Sequence, residues 1–244
     1  GRARKRIREP PQFRLGLFLT ISIEHCSTKE RDMDKEKADE MKARSRAAFD
    51  VQAGTYDTGM QGNHARALYR IVADEVARAC QNIPSPRVLD LGCGTGALAG
   101  IVLDEIPSCT LVGVDLSANM VELATERFGR RAEAVVGDAE HLPFHDNSFD
   151  VAYCNDSFHH YPDPVLAAFQ VWRALRPGGP FVVGDVWQPS PARAVMNAWM
   201  PLSSEGDVRI YSEGEMREIL GKWFGSVSWR RIGLTSCVAI ARKD

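Results

Sequence analysis

The sequence predicts a doubly wound α/β domain built on a seven-stranded sheet, mainly parallel, with an antiparallel C-terminal edge. Three observations lead there. Strand-like and helix-like runs alternate from 87 to 187, and that alternation demands parallel strands covered by helices on both faces. Residues 88–96 read VLDLGCGTG: a short apolar strand, then glycines at alternate positions, then a helical pattern with Leu98, Ile101, Val102 and Ile106 on one face. Strand, glycine turn and helix make the first unit of a Rossmann-like nucleotide site. Two β-like runs, 226–233 and 235–242, follow the last helical run and read as a hairpin at the end of the sheet.

Each element has its own justification. Residues 34–48 read as a polar helix, and 64–81 as an amphipathic one burying Leu68, Ile71, Val72 and Val76. Residues 82–86 break that pattern before the strand at 87–91 and the helix at 96–106. A strand at 111–115 precedes a helix that Ser117 is placed to cap. A strand at 132–136 ends at Gly137 and Asp138. A strand at 149–155 leads to a helix at 163–175, and Arg176-Pro177-Gly178-Gly179 forms a tight turn before the strand at 181–187. Residues 188–212 interrupt the rhythm with several Pro, Trp and Met, and a helix at 213–224 precedes the hairpin.

Composition narrows the function classes. A chain of 244 residues can bury a substantial single core. Its net charge of −2 gives no global basic field to attract nucleic acid. Residues 1–14 hold a local charge of +5, which leaves −7 for the rest. The six cysteines (Cys26, Cys80, Cys93, Cys109, Cys154, Cys237) show no CxxC pair and no regular spacing. They indicate neither a metal site nor a disulfide framework, and they fit a reducing, cytoplasmic setting. The apolar run at 15–23 is too short to span a bilayer.

Asp90 sets the chemistry of the glycine loop. A carboxylate at the mouth of a loop cradling a pyrophosphate would repel it. The same carboxylate suits a cationic ligand, such as the ammonium and sulfonium of S-adenosylmethionine. The loop is GxGxG with an acid at the third strand position. A nicotinamide-dependent oxidoreductase predicts GxGxxG without that acid, and remains the alternative reading, together with a non-catalytic cofactor-binding module on the same fold.

Together the motifs resemble the class I S-adenosylmethionine-dependent methyltransferases, in the small-molecule branch that includes ubiquinone and menaquinone methyltransferases (methyltransferase type 11). VLDLGCGTG is similar to the first motif, LVGVDLSANM (111–120) to the second and GDAEHLPFHDNSFD (137–150) to the third; SFHHYPDP and LRPGG complete the set. The resemblance covers about 46–187. It implies S-adenosyl-L-methionine as cofactor, bound by Asp90, Gly92, Cys93, Gly94 and Gly96 of the first motif. Asp115 would accept the ribose hydroxyls, and Leu116 and Met120 would pack on the adenine. Asp138 and the Ala139 amide would meet the adenine edge, and Asn155 would stand near the methionine ammonium. The segment Phe49-Asp50-x-x-Ala53-x-x-Tyr56-Asp57 resembles the quinone methyltransferases' N-terminal signature, with Tyr56 as lid residue. The residues after Tyr56 depart from the quinone pattern, although His64 is present.

His159 and His160 follow the strand that ends at Asn155 and are the candidate catalytic pair, as general base toward a phenol or amine. The expected reaction is in-line methyl transfer to a small, apolar or aromatic acceptor. Trp187, Met196, Trp199, Met200 and Tyr211 are candidates for an apolar cap over it. Nothing beyond the basic tail favours nucleic acid, and no membrane span is read. The domain reading follows: a basic, disordered tail at 1–32 outside the functional domain, then one methyltransferase domain at 33–244. Within it lie a helical lid (33–82), the cofactor-binding core (87–187), a substrate-cap insertion (188–212), and the C-terminal helix with its hairpin (213–244).

Overall fold

A computed structural model describes residues 28–244, with side chains from residue 35 onward. The readings of the basic run and of the apolar run at 15–23 lie outside the described residues. Seven strands form one sheet: β1 Arg87–Leu91, β2 Thr110–Asp115, β3 Ala132–Val136, β4 Val151–Asn155, β5 Pro180–Val186, β6 Ser226–Ile232 and β7 Ser236–Arg242. Their order is β3-β2-β1-β4-β5-β7-β6. The first five are parallel, and β7 runs antiparallel between β5 and β6. The hairpin therefore inserts its second strand, and β6 forms the edge.

The helices are α1 Thr28–Gln52, α2 Asn63–Cys80, α3 Ala97–Glu105, α4 Ala118–Phe128, α5 Pro164–Ala174, α6 Ser190–Trp199 and α7 Glu213–Gly221. Ser117 caps α4 by accepting from the Met120 amide, and Asp163 caps α5 from Leu166, with Pro164 at the first helical position. Ser212 and Glu215 form a reciprocal capping box on α7. Alternation along the central strands divides the core into two layers. Val88 packs with Leu68, Val72, Val102 and Phe128 from α2, α3 and α4. Leu89 and Leu91 face the other way, with Val171 of α5 and Leu220 of α7.

The strand boundaries fall within two residues of the sequence reading. The interruption at 188–212 holds a helix that reading did not contain: Ala192, Val195, Met196 and Trp199 of α6 recur at helical spacing, but Pro189, Pro191 and Pro201 crowd the segment and read as breaks, and none of its residues is buried. The change in strand order between β1 and β4 opens a crevice at the carboxyl ends of the strands, where open α/β sheets bind ligands.

Candidate active site

That crevice is an open cleft, lined by the ends of β1, β2 and β4 and by the segment after β3. The glycine loop forms its floor. The Gly92 and Cys93 amides donate to the Val114 carbonyl at 2.8 and 3.0 Å, which ties the loop to β2. Gly94 has φ +51°, and a side chain there would meet nothing within 4 Å. Gly96 has φ +74°, and an added Cβ would lie 2.6 Å from the Phe128 ring. Gly96, read as a cofactor contact, therefore serves helix packing below the loop and does not line the cleft.

Four acidic groups define the electrostatics. Asp90 is 2% exposed, and its Oδ2 is buried without a hydrogen-bond partner. Burial pushes its carboxyl up to about 7; Tyr153 partly offsets this and Asp115 adds to it. Asp115 accepts from the Gly94 amide at 2.8 Å and the Ser117 amide at 2.9 Å, one on each oxygen. Its carboxyl is also raised, mainly by burial. Each oxygen keeps a further lone pair for a ligand. Asp138 accepts from Lys42 at 2.8 Å, from the Glu140 amide at 2.9 Å and from His141 at 3.2 Å. Burial would raise its carboxyl, but these donors outweigh it and hold it below the ordinary range. Glu140, 4% exposed, accepts from Lys42 at 2.5 Å and from the Asp163 amide at 2.7 Å.

The remaining candidates surround this floor. Leu116, Met120, Ala139, Tyr56 and Asn155 line the cleft, as do Gly92 and Cys93. Burial, with Asp115 and Asp90 close by, pushes the Cys93 thiol well up. Asn155 donates to the Ala65 carbonyl at 3.2 Å, and its Oδ1 is buried without a partner. The Phe49–Asp57 segment is fastened to the floor at both ends. Asp50 accepts from the Ser117 hydroxyl at 2.6 Å, and Asp57 accepts from the Thr95 hydroxyl at 2.6 Å. Arg66 holds the turn that follows by donating to the carbonyls of Tyr56 and Gly59 at 2.7 and 2.6 Å.

The two histidines differ. His160 lines the cleft, edge-on to Phe49 with ring centres 5.1 Å apart; His159 stands behind it. His159 donates from Nδ1 to the buried Asp185 at 2.6 Å. Burial would lower its pKa, but the Asp185 charge and hydrogen bond raise it to about 9. Burial, with His159 adding to it, drives His160 well below its ordinary value. His64 pairs with Asp156 at 2.6 Å beneath the same end of the cleft.

Sequence reasoning missed Lys42, Ser45 and Tyr69 in the wall. Lys42, Ser45 and Phe49 recur at helical spacing along α1, but a polar helix carries such residues on any solvated face, so the spacing alone gives no signal. The expected cap does not line the cleft. Tyr211 is buried against Phe158 in the core, Trp187 packs edge-on to Trp229, and Trp199 is 67% exposed on α6.

Known proteins resemble this chain throughout this region. A family profile described as a methyltransferase domain matches residues 89–183. A malonyl-[acyl-carrier protein] O-methyltransferase of Dechloromonas aromatica is 30% identical over 179 residues, 73% of this chain and 64% of that protein. A demethylmenaquinone methyltransferase of Deinococcus radiodurans is 34% identical over 115 residues, 46% of this chain and 47% of that protein. The chain thus spans less than two thirds of these relatives' length. The crystal structure of the YcgJ protein of Bacillus subtilis is 27% identical with a TM-score of 0.57, covering 67% of this chain and 71% of that one. With the glycine loop, Asp90 and Asp115 set around one crevice and a methyltransferase profile over the same strands, the chain resembles the class I S-adenosylmethionine-dependent methyltransferases in this region.

Proposed function

We propose that the protein transfers the methyl group of S-adenosylmethionine to a small, apolar or aromatic acceptor. The observation that carries this is the unpartnered Asp90 oxygen, buried beside an open glycine loop with Asp115 at the end of the next strand. A buried carboxylate without a partner is costly, and a cationic ligand relieves that cost. A dinucleotide would instead bring a diphosphate against two carboxylates. The name of one relative, a demethylmenaquinone methyltransferase, supports a small-molecule acceptor.

The residues fit the cofactor. Asp115 would hold the ribose hydroxyls with its free lone pairs. Leu116 and Met120 would flank the adenine, and Asp138 and the Ala139 amide would meet its edge. Asp90 and Asn155 would face the methionine end. Tyr56, on the fastened Phe49–Asp57 segment, would exclude water from above. The bound sulfonium supplies an activated methyl carbon, so the protein's share is alignment, which in favourable cases removes about 7–11 kcal/mol of barrier. Of the two histidines, His160 would act on the acceptor, since it reaches the cleft wall beyond Asn155 and Asp156, with His159 behind it.

Calorimetric titration with S-adenosylhomocysteine and with NADH tests the cofactor, and an acceptor screen with labelled methyl donor tests the reaction. Binding of S-adenosylhomocysteine alone is the expected result. Binding of NADH alone, or of neither, overturns the proposal.

A further inference from the structure

We propose that His159, His160 and Asp207 hold a divalent transition-metal ion behind the His160 wall of the cleft. One donor atom from each lies within 4.8 Å of the others. Asp207 Oδ1 is 3.2 Å from His160 Nδ1 and 3.6 Å from His159 Nε2. Two ligands at about 2.1 Å from one ion, at tetrahedral to octahedral angles, stand roughly 3.0–3.4 Å apart. Hydrogen bonding does not account for the cluster: the His160 side chain is 9% exposed, yet its Nδ1 is buried without a hydrogen-bond partner.

Two of the three donors are aimed from behind. His159 donates its Nδ1 proton to Asp185, which is 1% exposed, and this turns Nε2 toward Asp207. A carboxylate behind an imidazole in this way fixes the tautomer and ring orientation of metal-bound histidines. Asp207 is oriented on its other oxygen, which accepts from the Ser203 hydroxyl at 2.6 Å. The Asp207 loop hangs on His159 itself, whose carbonyl accepts from the Val208 and Arg209 amides at 2.9 and 3.2 Å. Asp156 and Asp185 add negative charge on the far side of His159. Binding displaces the Nε2 proton of His159 to solvent.

Two imidazoles and one carboxylate with open positions suit Zn²⁺, Mn²⁺ or Fe²⁺ rather than Mg²⁺ or Ca²⁺. The ion would lie behind the part of the cleft wall that His160 forms, and its binding does not depend on the methyl-transfer reading.

The test is calorimetric titration of the full chain with Zn²⁺, and separately with Mg²⁺, without cofactor. One Zn²⁺ per chain is expected, with weaker Mg²⁺ binding. His160→Ala and Asp207→Asn should each weaken Zn²⁺ at least about a hundredfold, Asp185→Asn about ten- to a hundredfold, and His145→Ala not at all. S-adenosylhomocysteine affinity of Asp207→Asn, whose side chain does not line the cleft, reports that the fold is intact. No Zn²⁺ binding by the wild type, or binding undiminished in His160→Ala and Asp207→Asn, overturns the site. Either result leaves the cofactor titration, and with it the methyl-transfer reading, standing or falling independently.

Discussion

At the residue scale the site is dominated by carboxylates whose protons respond to what binds beside them. Asp90 is faced by Asp115 from β2, Tyr153 from β4, Tyr69 from α2 and Cys93 from the loop, with no cation among them. Its carboxyl, raised to about 7, must be ionised to receive a sulfonium or ammonium. Binding therefore releases a proton below about pH 7, and affinity falls as pH drops, by up to about tenfold per unit. Calorimetry in two buffers of different ionisation enthalpy reads that proton, and Asp90→Asn should abolish its release while weakening binding. An identical proton count in the two proteins would contradict the assignment. Lys42 acts at the other end of the cleft. Lys42→Met leaves the buried Glu140 without its cation and should cost about 2–4 kcal/mol in urea unfolding at pH 7. Asp138 is depressed, so its share is present above about pH 4 and lost as pH falls through its folded value; Lys42 is raised, so its share fades only above about pH 10. The difference between wild type and variant should therefore shrink on acidification below pH 4. Asp90, Asp115 and Asp138 were legible because each stands in the last two residues of a strand or just past its end, beside a turn. Lys42 was not, because its partners are 96 and 98 positions away and nothing local marks the pairing.

At the element scale, one loop contains two glycines with different reasons to exist. Gly94→Ala places a methyl in open space at φ +51° and should cost about 1–2 kcal/mol of stability, with a larger loss of cofactor affinity. Gly96→Ala meets the Phe128 ring at 2.6 Å and adds an overpacking cost, about 2–5 kcal/mol in all. Denaturant unfolding beside cofactor titration separates the two; equal stability losses would refute the division. The loop was readable because it must turn sharply in few residues. α6 was unreadable for the opposite reason. Its apolar stripe of Ala192, Val195, Met196 and Trp199 is exposed and set among Pro189, Pro191 and Pro201, which read as breaks, and it is tied to the chain at 210 through Asn197. The histidine pair was visible as a motif, but its difference in role was not. That difference arises from Asp185 on β5 and Asp207 in a distant loop, which the fold alone brings together.

At the scale of the whole molecule, the cleft is built from the ends of four parallel strands, so a ligand there holds them together. S-adenosylhomocysteine at about a hundred times its dissociation constant should add about 2.7 kcal/mol to folding, and raise Tm by roughly 5–10 °C. Differential scanning calorimetry checks this, and an unshifted transition at saturation would contradict it. The layered architecture was legible because alternating apolar periods leave few topologies. The order of the last two strands was not, because either strand of a hairpin can take the inner place and only side-chain fit decides. That order also governs how the domain is born. β6 leaves the ribosome before β7 yet has no seat on the sheet until β7 is threaded between it and β5. The exposed flank of β5 therefore stays open until residue 242 has emerged, and a nascent chain stalled earlier offers that flank to any other strand it meets.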